Sequence, residues 1–104
     1  MNRLEQLRQF AKEEPEDPFN LYALALEYLK SDQKEALNIF KRLLEKFPEY
    51  LPTYYPYAQL LAETKERKLA ENVFEAGIEV AKKLNDLKTI RELQAAYNDL
   101  RYEG

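Results

Sequence analysis

The side chains that most often carry out catalysis are scarce in this chain of 104 residues. It has no His and no Cys, which removes the usual general base, the thiol nucleophile and the imidazole or thiolate metal ligand. Ser31 is the only serine, and it stands in a turn where a hydroxyl serves as a cap. We therefore expect no enzyme activity, no cofactor, no metal ion and no small-molecule substrate.

Carboxylates are plentiful, and Glu13, Glu14, Glu16 and Asp17 form one cluster. Acid–base catalysis needs two carboxylates whose environments push their pKa values apart, usually in a cleft. This cluster instead flanks two prolines at the start of a helix, where the helix dipole stabilises negative charge. We interpret it as a solvated turn. Calcium binding is the remote alternative, because the spacing lacks a calcium-loop motif.

The charge pattern argues against nucleic acid and membranes. The net charge is −3, and the basic residues between 65 and 68 alternate with acidic ones between 63 and 71. Such a mixed-sign turn offers no basic surface to phosphates. No window approaches 18 apolar residues, so no segment is expected to span a membrane, and the alternation of charged and apolar residues in 1–8 is unlike a signal peptide. The cytoplasm is the expected location.

Two segments of the chain carry the same residue types about 34 positions apart. The repeated pairs are Ala25 and Ala58, Tyr28 and Leu61, Ala36 and Ala70, and Phe40 and Phe74. The first two pairs are 33 residues apart and the last two are 34 apart. A period of this length holds one helix–turn–helix unit. The missing residue lies between Tyr28 and Ala36, which predicts a shorter turn between the first two paired helices.

This pattern resembles the tetratricopeptide repeat (TPR) family. Ala25 and Ala58 match its small position on the first helix, Phe40 and Phe74 match its aromatic on the second, and Pro48 matches its exit proline. There are departures, since the family's frequent Trp is replaced by Leu21 and Tyr54 and no proline follows the second unit. The resemblance implies an all-α fold, a right-handed α-solenoid of antiparallel helix pairs with a concave face that binds proteins.

Apolar periodicity then divides the chain into about six helices in a single domain. The expected parts are an N-terminal half-repeat helix over 1–14, repeat 1 over 15–48, repeat 2 over 49–84 and a C-terminal capping helix over 85–104. Whether the half-repeats cap the stack or dock to another chain is left open by the sequence.

Capping residues predict where these helices begin. Asn2 and Asp17 are good N-caps, and a proline follows Asp17 at the preferred first position. If Thr53 is the next cap, Pro56 falls in the first turn, where its missing N–H costs little. If the helix begins at Pro52 instead, Pro56 should bend it. We favour the cap at Thr53.

The last two helices are expected over about 67–84 and 86–101, with residues 102–104 frayed. Leu69 and Leu87 are among the side chains expected to point inward. Gly77, in the middle of a helix, costs about 1 kcal/mol relative to Ala. Its presence therefore predicts a closely packed neighbouring helix.

The resemblance also identifies a candidate binding face, because first helices line the concave side in TPR proteins. The residues that match this face are Tyr22, Leu26, Leu29, Tyr55, Gln59, Ala62, Arg91 and Ala95. Tyrosine combines apolar area with a hydroxyl and is enriched at interfaces. The alternative is that Tyr22 and Tyr55 pack against each other across adjacent helices.

Some TPR proteins grip the C-terminal carboxylate of a chaperone with basic and amide side chains on their first helices. The matching positions here are Tyr22, Leu26, Tyr55 and Pro56, which make no charge-assisted bond to a carboxylate. This class of partner is therefore not expected. The sequence favours a non-enzymatic module that binds a protein or peptide, and the alternative is a homodimer that pairs the same apolar face.

Overall fold

The structure is a computed structural model that describes residues 1–103. All regular elements in that range are helical, and it contains no strand. The six helices are α1 (Arg3–Glu13), α2 (Pro18–Tyr28), α3 (Gln33–Lys46), α4 (Tyr54–Glu63), α5 (Arg67–Lys83) and α6 (Leu87–Tyr102). A 3-10 turn at Leu51–Thr53 leads into α4. The prediction of an all-α fold with six helices is confirmed. Two compact units are present, Met1–Tyr50 and the part from Leu51 onward.

The first unit is built around α2, which packs against both α1 and α3. Its core is formed by Leu7, Leu21, Leu24, Ala25, Ala36, Ile39, Phe40 and Leu43. Ala25 and Ala36 have no exposed surface, and each comes from one helix of the α2–α3 pair. Small side chains at such positions let two helices approach closely. The half-repeat helix α1 covers the other side of α2 with Leu7.

Side-chain caps fix the beginnings of α1, α2 and α3. Asn2 and Asp32 accept hydrogen bonds through Oδ1 from the backbone N–H three residues on, at 2.8 and 3.1 Å. Asp17 accepts from the N–H two residues on, at 3.0 Å, and a proline opens its helix. These bonds satisfy donors that a helix end leaves without partners. The predicted caps at Asn2 and Asp17 are confirmed.

The prediction of a shorter first turn is wrong. Four residues, 29–32, separate α2 from α3, whereas three residues, 64–66, separate α4 from α5. Counted from the repeated alanines, α2 ends at Tyr28 while α4 continues to Glu63. The missing residue therefore shortens the helix and leaves the connection longer.

In the second unit α5 packs against both α4 and α6. Its core is formed by Tyr54, Tyr57, Ala58, Leu60, Leu61, Ala70, Val73, Phe74, Ile78, Val80, Ala81, Leu93 and Leu100. A Cβ added at Gly77 would lie 2.7 Å from the Cβ of Tyr54 and 3.1 Å from Cδ1 of Leu93. The predicted close approach at Gly77 is confirmed, since neighbours from both α4 and α6 occupy the space of a side chain.

Left-handed residues end both α4 and α5. Lys65 has φ 65° and Asn85 has φ 56°. In each turn the following N–H donates to a carbonyl five residues back, from Glu66 to Leu61 at 2.8 Å and from Asp86 to an alanine at 3.0 Å. This Schellman pattern satisfies carbonyls at the helix end. Asp86 then caps α6 by accepting a hydrogen bond from the Thr89 N–H, so α5 ends and α6 begins within a few residues.

The side-chain cap expected at Thr53 is not formed. The helix does begin at Tyr54, so Pro56 lies in the first turn as predicted. However, the backbone of Thr53 is helical, with φ −62° and ψ −37°, and its side chain makes no capping bond. Thr53 is fully buried, and its hydroxyl has no hydrogen-bond partner among the described residues. The 3-10 turn carries the threonine into the core and away from the helix end.

Two leucines assigned to the interior are exposed. Leu69 is 50% exposed and Leu87 is 65% exposed. Leu69 is the third residue of α5 and Leu87 the first of α6, so both lie in a first turn where packing against neighbours is sparse. At the other end, α6 includes Tyr102, which was expected to fray. Residue 104 lies outside the described range.

Changing Gly77 to Ala is expected to lower the free energy of unfolding. Helix propensity alone would stabilise the variant by about 1 kcal/mol. The new methyl would meet the root of the Tyr54 side chain, which cannot move without shifting α4, and overpacking costs about 1–3 kcal/mol. Urea unfolding followed by circular dichroism measures the difference. Ala76→Gly, at an exposed position of the same helix, reports propensity alone, and a Gly77→Ala variant more stable than the parent would contradict the packing.

Changing Thr53 to Val should raise the free energy of unfolding by about 1 kcal/mol, because a buried hydroxyl without a partner is removed at nearly constant volume. The matched control is Thr64→Val, whose hydroxyl donates to the Leu60 carbonyl at 3.0 Å near the surface. That change should stay within about 0.5 kcal/mol of the parent. A loss of about 1 kcal/mol at Thr53 would instead identify it as a working N-cap.

Candidate protein-binding face

An open groove of about 620 Å³ lies between α4 and α6 in the second unit. It is lined by Tyr55, Gln59, Ala62, Glu92, Ala95, Ala96, Asp99, Leu100 and Glu103. Four of the predicted face residues, Tyr55, Gln59, Ala62 and Ala95, are thus brought together. The structure places them on two different helices, α4 and α6, which both pack against α5.

Helical periodicity explains this arrangement. On α4 the lining residues Tyr55, Gln59 and Ala62 are spaced by four and three positions. On α6 they recur between residues 92 and 103 with the same spacing. Residues three and four apart share one helix face. The opposite stripes, including Tyr54, Ala58 and Leu93, are buried in the core. Each helix therefore divides into a packing stripe and an open stripe.

Arg91 is the member of the predicted set in this unit that does not line the groove, although it is exposed. Sequence reasoning missed Glu92, Ala96, Asp99, Leu100 and Glu103. The signal was available, because residues 92, 96, 99 and 103 follow the face of Ala95 at helical spacing. The family-based register of the face ended near residue 95 and did not extend along the last helix.

Tyr55 has a structural contact as well as an exposed surface. Its ring meets the buried ring of Phe74 edge to face, with centroids 6.4 Å apart and planes at 79°. The side chain is still 41% exposed and lines the groove. Aromatic pairs of this geometry contribute about 0.5–1.5 kcal/mol beyond the area they bury. Tyr55 is therefore anchored by the core and presents its outer part to solvent.

In the first unit the predicted residues lie around a smaller depression. A hollow of about 270 Å³ is lined by Arg3, Phe19, Tyr22, Ala23, Leu26, Glu27 and Lys30. Leu29 follows the last residue of α2, is half-buried and does not line this hollow. The Tyr22 ring meets Tyr50 edge to face, with centroids 5.8 Å apart, and burial raises the pKa of Tyr22. Tyr22 and Tyr55 thus each have an aromatic partner within their own unit.

The two depressions differ in their charges. In the first unit Glu27 pairs with Lys30 at 3.0 Å and with Arg3 at 3.5 Å. In the second unit the carboxylates of Glu92, Asp99 and Glu103 line the groove, and no basic side chain of residues 1–103 lines it. The first face is locally neutralised, whereas the second carries negative charge.

A third depression, of about 800 Å³, lies among the three helices of the first unit. Its walls carry Arg8, Lys12, Arg42 and Lys46 together with Glu35 and Glu45, and its floor includes Leu21, Leu24, Tyr28 and Ile39. Lys46 is engaged there, with Nζ 3.4 Å from Glu16 and 3.3 Å from the Pro15 carbonyl. The charges of this groove are mixed, and sequence reasoning did not identify it.

The acidic side chains of residues 1–103 form no group of three or more that could hold a metal ion. Asp86 has a pKa below its usual value because the backbone N–H and the side chain of Thr89 donate hydrogen bonds to it. Tyr97 has a raised pKa because its hydroxyl donates to Glu75 Oε2 at 2.7 Å. Both shifts come from bonds that fix α6 and not from a catalytic pair. None of the helices described has the length and apolar character needed to cross a membrane.

Comparison with known proteins identifies related chains. Residues 28–97 match the model of the tetratricopeptide repeat family. A tetratricopeptide repeat domain protein from Salinibacter ruber, solved by NMR, is 40% identical, with 83% of this chain and 88% of that one covered and a TM-score of 0.79. The crystal structure of a Salinibacter ruber tetratricopeptide repeat domain protein gives 37% identity, coverages of 82% and 97% and a TM-score of 0.79.

The TPR2B domain of yeast Sti1, solved as a complex with pHsp70, is similar in fold with a TM-score of 0.88. It is 20% identical, and 97% of this chain and 82% of that one are covered. No match was found among the curated proteins. The similarity at this level of identity concerns the fold.

Tyr55→Leu is expected to lower the free energy of unfolding by about 1 kcal/mol, because the edge-to-face contact with Phe74 is lost while apolar volume is kept. Tyr102→Leu is the matched control, since Tyr102 is 87% exposed and should change stability little. Chemical denaturation of both variants gives the comparison. Equal stability of the two variants would mean that the contact between the Tyr55 and Phe74 rings does not stabilise the fold.

Proposed function

We propose that this chain, which belongs to the tetratricopeptide repeat family, is a non-enzymatic module that binds a segment of another protein through the exposed faces of α4 and α6. The observation that carries the proposal is the groove between α4 and α6, which collects Tyr55, Gln59, Ala62 and Ala95. The fold commonly mediates protein–protein interaction. A cytoplasmic location remains part of this proposal.

The shape and lining of the groove support a peptide as its occupant. Ala62, Ala95 and Ala96 leave space between the two helices, and Tyr55 supplies apolar area with a polar tip. The lining residues of α6 and its C-cap extend from 92 to 103, which is eleven residue steps and corresponds to about 16 Å of helix. An extended chain covers that length with about five residues. The groove therefore suits a short segment better than a compact small molecule.

The residue types also argue against a partner that is gripped by its C-terminal carboxylate. The yeast Sti1 domain was solved with pHsp70, which is a property of that protein. The positions expected to clamp a chaperone carboxylate here carry Tyr22, Leu26, Tyr55 and Pro56, and none of these side chains is charged. We propose that the partner is recognised by other means.

The test uses three synthetic 12-residue peptides in which Ala alternates with Lys, Gln or Glu. Titration of each into ¹⁵N-labelled protein should give saturable shift changes for at least one peptide, located at residues of α4 and α6. Shift changes in α2 would show that the first unit binds the peptide as well. Absence of saturable binding for all three, or changes confined to the outer faces of α3 and α5, would contradict the proposal.

Ala95→Gln should weaken the tightest of these peptides about tenfold, or about 1.4 kcal/mol, because a neutral side chain fills the groove. Ala76→Gln is the matched control, since Ala76 is exposed on α5 and does not line the groove. Both residues lie within helices, where Gln is well tolerated, so stability should change little. Fluorescence anisotropy of labelled peptides gives the two affinities, and equal weakening by both variants would place binding elsewhere.

The rival role is a homodimer that uses the same face. Light scattering over a concentration series distinguishes the two roles, because a module with a free face stays at the monomer mass. A stable dimer whose mass falls to that of the monomer in Ala95→Gln, but not in Ala76→Gln, would assign the groove to self-association.

A further inference from the structure

We propose that the groove between α4 and α6 selects a basic segment, one in which Lys or Arg side chains alternate with small apolar ones. This inference rests on the proposed function and adds the chemical class of the partner. It follows from three features of the groove: the sign of its charges, the absence of local neutralisation and the composition of its floor.

The charged side chains of the groove are all acidic. Glu92, Asp99 and Glu103 line it, and the other lining residues are uncharged. The carboxylates follow one stripe of α6, with Asp99 seven residues after Glu92 and four before Glu103. Along a helix these steps correspond to about 10 and 6 Å. Cations on one side of an extended chain recur about every 6.6 Å, so a short basic segment reaches all three carboxylates.

Two basic side chains of this unit, Arg67 and Arg101, are directed to other partners. The guanidinium of Arg101 lies 5.3 Å from the ring centroid of Tyr97, whose hydroxyl is bonded to Glu75 of α5. Arg67 pairs with Glu71 at 3.5 Å and donates to the Arg101 carbonyl at 3.0 Å. These contacts join α5 and α6 on the side of Tyr97. Neither Arg67 nor Arg101 lines the groove, whose charged lining residues are acidic.

Glu92, Asp99 and Glu103 take part in no ion pair within residues 1–103. Glu27 and Glu79, by comparison, pair with Lys30 and Lys82 at 3.0 and 3.3 Å. Unpaired carboxylates in a concave surface concentrate their field and attract cations from solution. Charge complementarity of this kind governs the choice of partner and the rate of encounter more than the affinity of any single pair.

The uncharged part of the groove fits the stems of such side chains. Ala62, Ala95 and Ala96 form apolar surface together with the small exposed part of Leu100, and Tyr55, which is 41% exposed, adds an aromatic ring. Lys and Arg bury their methylene groups on apolar surface and keep their charged ends in water. A cation over an exposed tyrosine ring is also attracted by its π electrons.

The test compares the same three peptides, with Lys, Gln or Glu alternating with Ala. The Lys peptide should bind at least tenfold more tightly than the Gln peptide, and the Glu peptide should bind most weakly. The preference should shrink when sodium chloride is raised from 0.05 to 0.5 M, because the added ions screen exposed charges. If the Gln and Lys peptides bind equally at low salt, the basic partner is wrong while the proposed function stands. If none of the three peptides binds, the proposed function itself is wrong.

A charge-matched pair of variants locates the effect. The first combines Glu92→Gln, Asp99→Asn and Glu103→Gln, and it should weaken the Lys peptide at least tenfold and the Gln peptide far less. The control combines Glu13→Gln, Glu14→Gln and Glu16→Gln, which removes three charges from the first unit. It should retain the Lys preference. Equal loss in both triple variants would mean that net charge, and not the groove, attracts the peptide.

A second copy of this chain is the competing basic occupant, since the first unit carries Arg8, Lys12 and Arg42 around its own groove. Light scattering of the parent and of the groove variant distinguishes this outcome. A parent oligomer that dissociates in the groove variant but persists in the control would overturn the assignment to another protein. A parent that stays monomeric while it binds the Lys peptide would support it.

Discussion

Close approach of helix backbones at small residues is the constraint on which the rest of this structure depends. Ala25, Ala36, Ala58, Ala70 and Ala81 have no exposed surface, and Gly77 leaves no room for even a methyl group. Such contacts hold the helices at short distance, so the large aromatic residues Phe40 and Phe74 can be fully enclosed. A short chain with no Cys has no disulfide to replace this packing.

The same constraint explains how the chain separates packing from recognition. Because one stripe of each helix is committed to close contact, the remaining stripes are free to vary in size and charge. On α4 the packing stripe contains Tyr54 and Ala58, while Tyr55 and Gln59, one position further along, face the groove. On α6 the buried Leu93 stands beside Glu92 in the same way. A shift of one residue is enough to move a side chain from core to surface.

Much of the fold could be predicted from the sequence because its determinants are local or repeated. The caps at Asn2 and Asp17 and the repeated alanines and phenylalanines depend on short spacings. The failures concern the ends of elements, where periodicity ends and tertiary contacts decide. A 3-10 turn buried Thr53, and first-turn positions left Leu69 exposed. The missing residue of the first repeat shortened α2, while the connection from α2 to α3 is one residue longer than that from α4 to α5.

The candidate site was predictable only as far as the repeated pattern extends. Tyr55, Gln59 and Ala62 lie within the second repeat, and the structure brings them together with Ala95. The carboxylates that distinguish this groove lie on the last helix and at its C-cap, where the family-based register placed only Arg91 and Ala95. Composition did not indicate these carboxylates either, because a net charge of −3 for the whole chain does not show how charge is distributed on one face. Folding places three carboxylates in one groove and turns Arg101 toward Tyr97, and this sorting of charge between two sides of α6 gives the groove its chemical character.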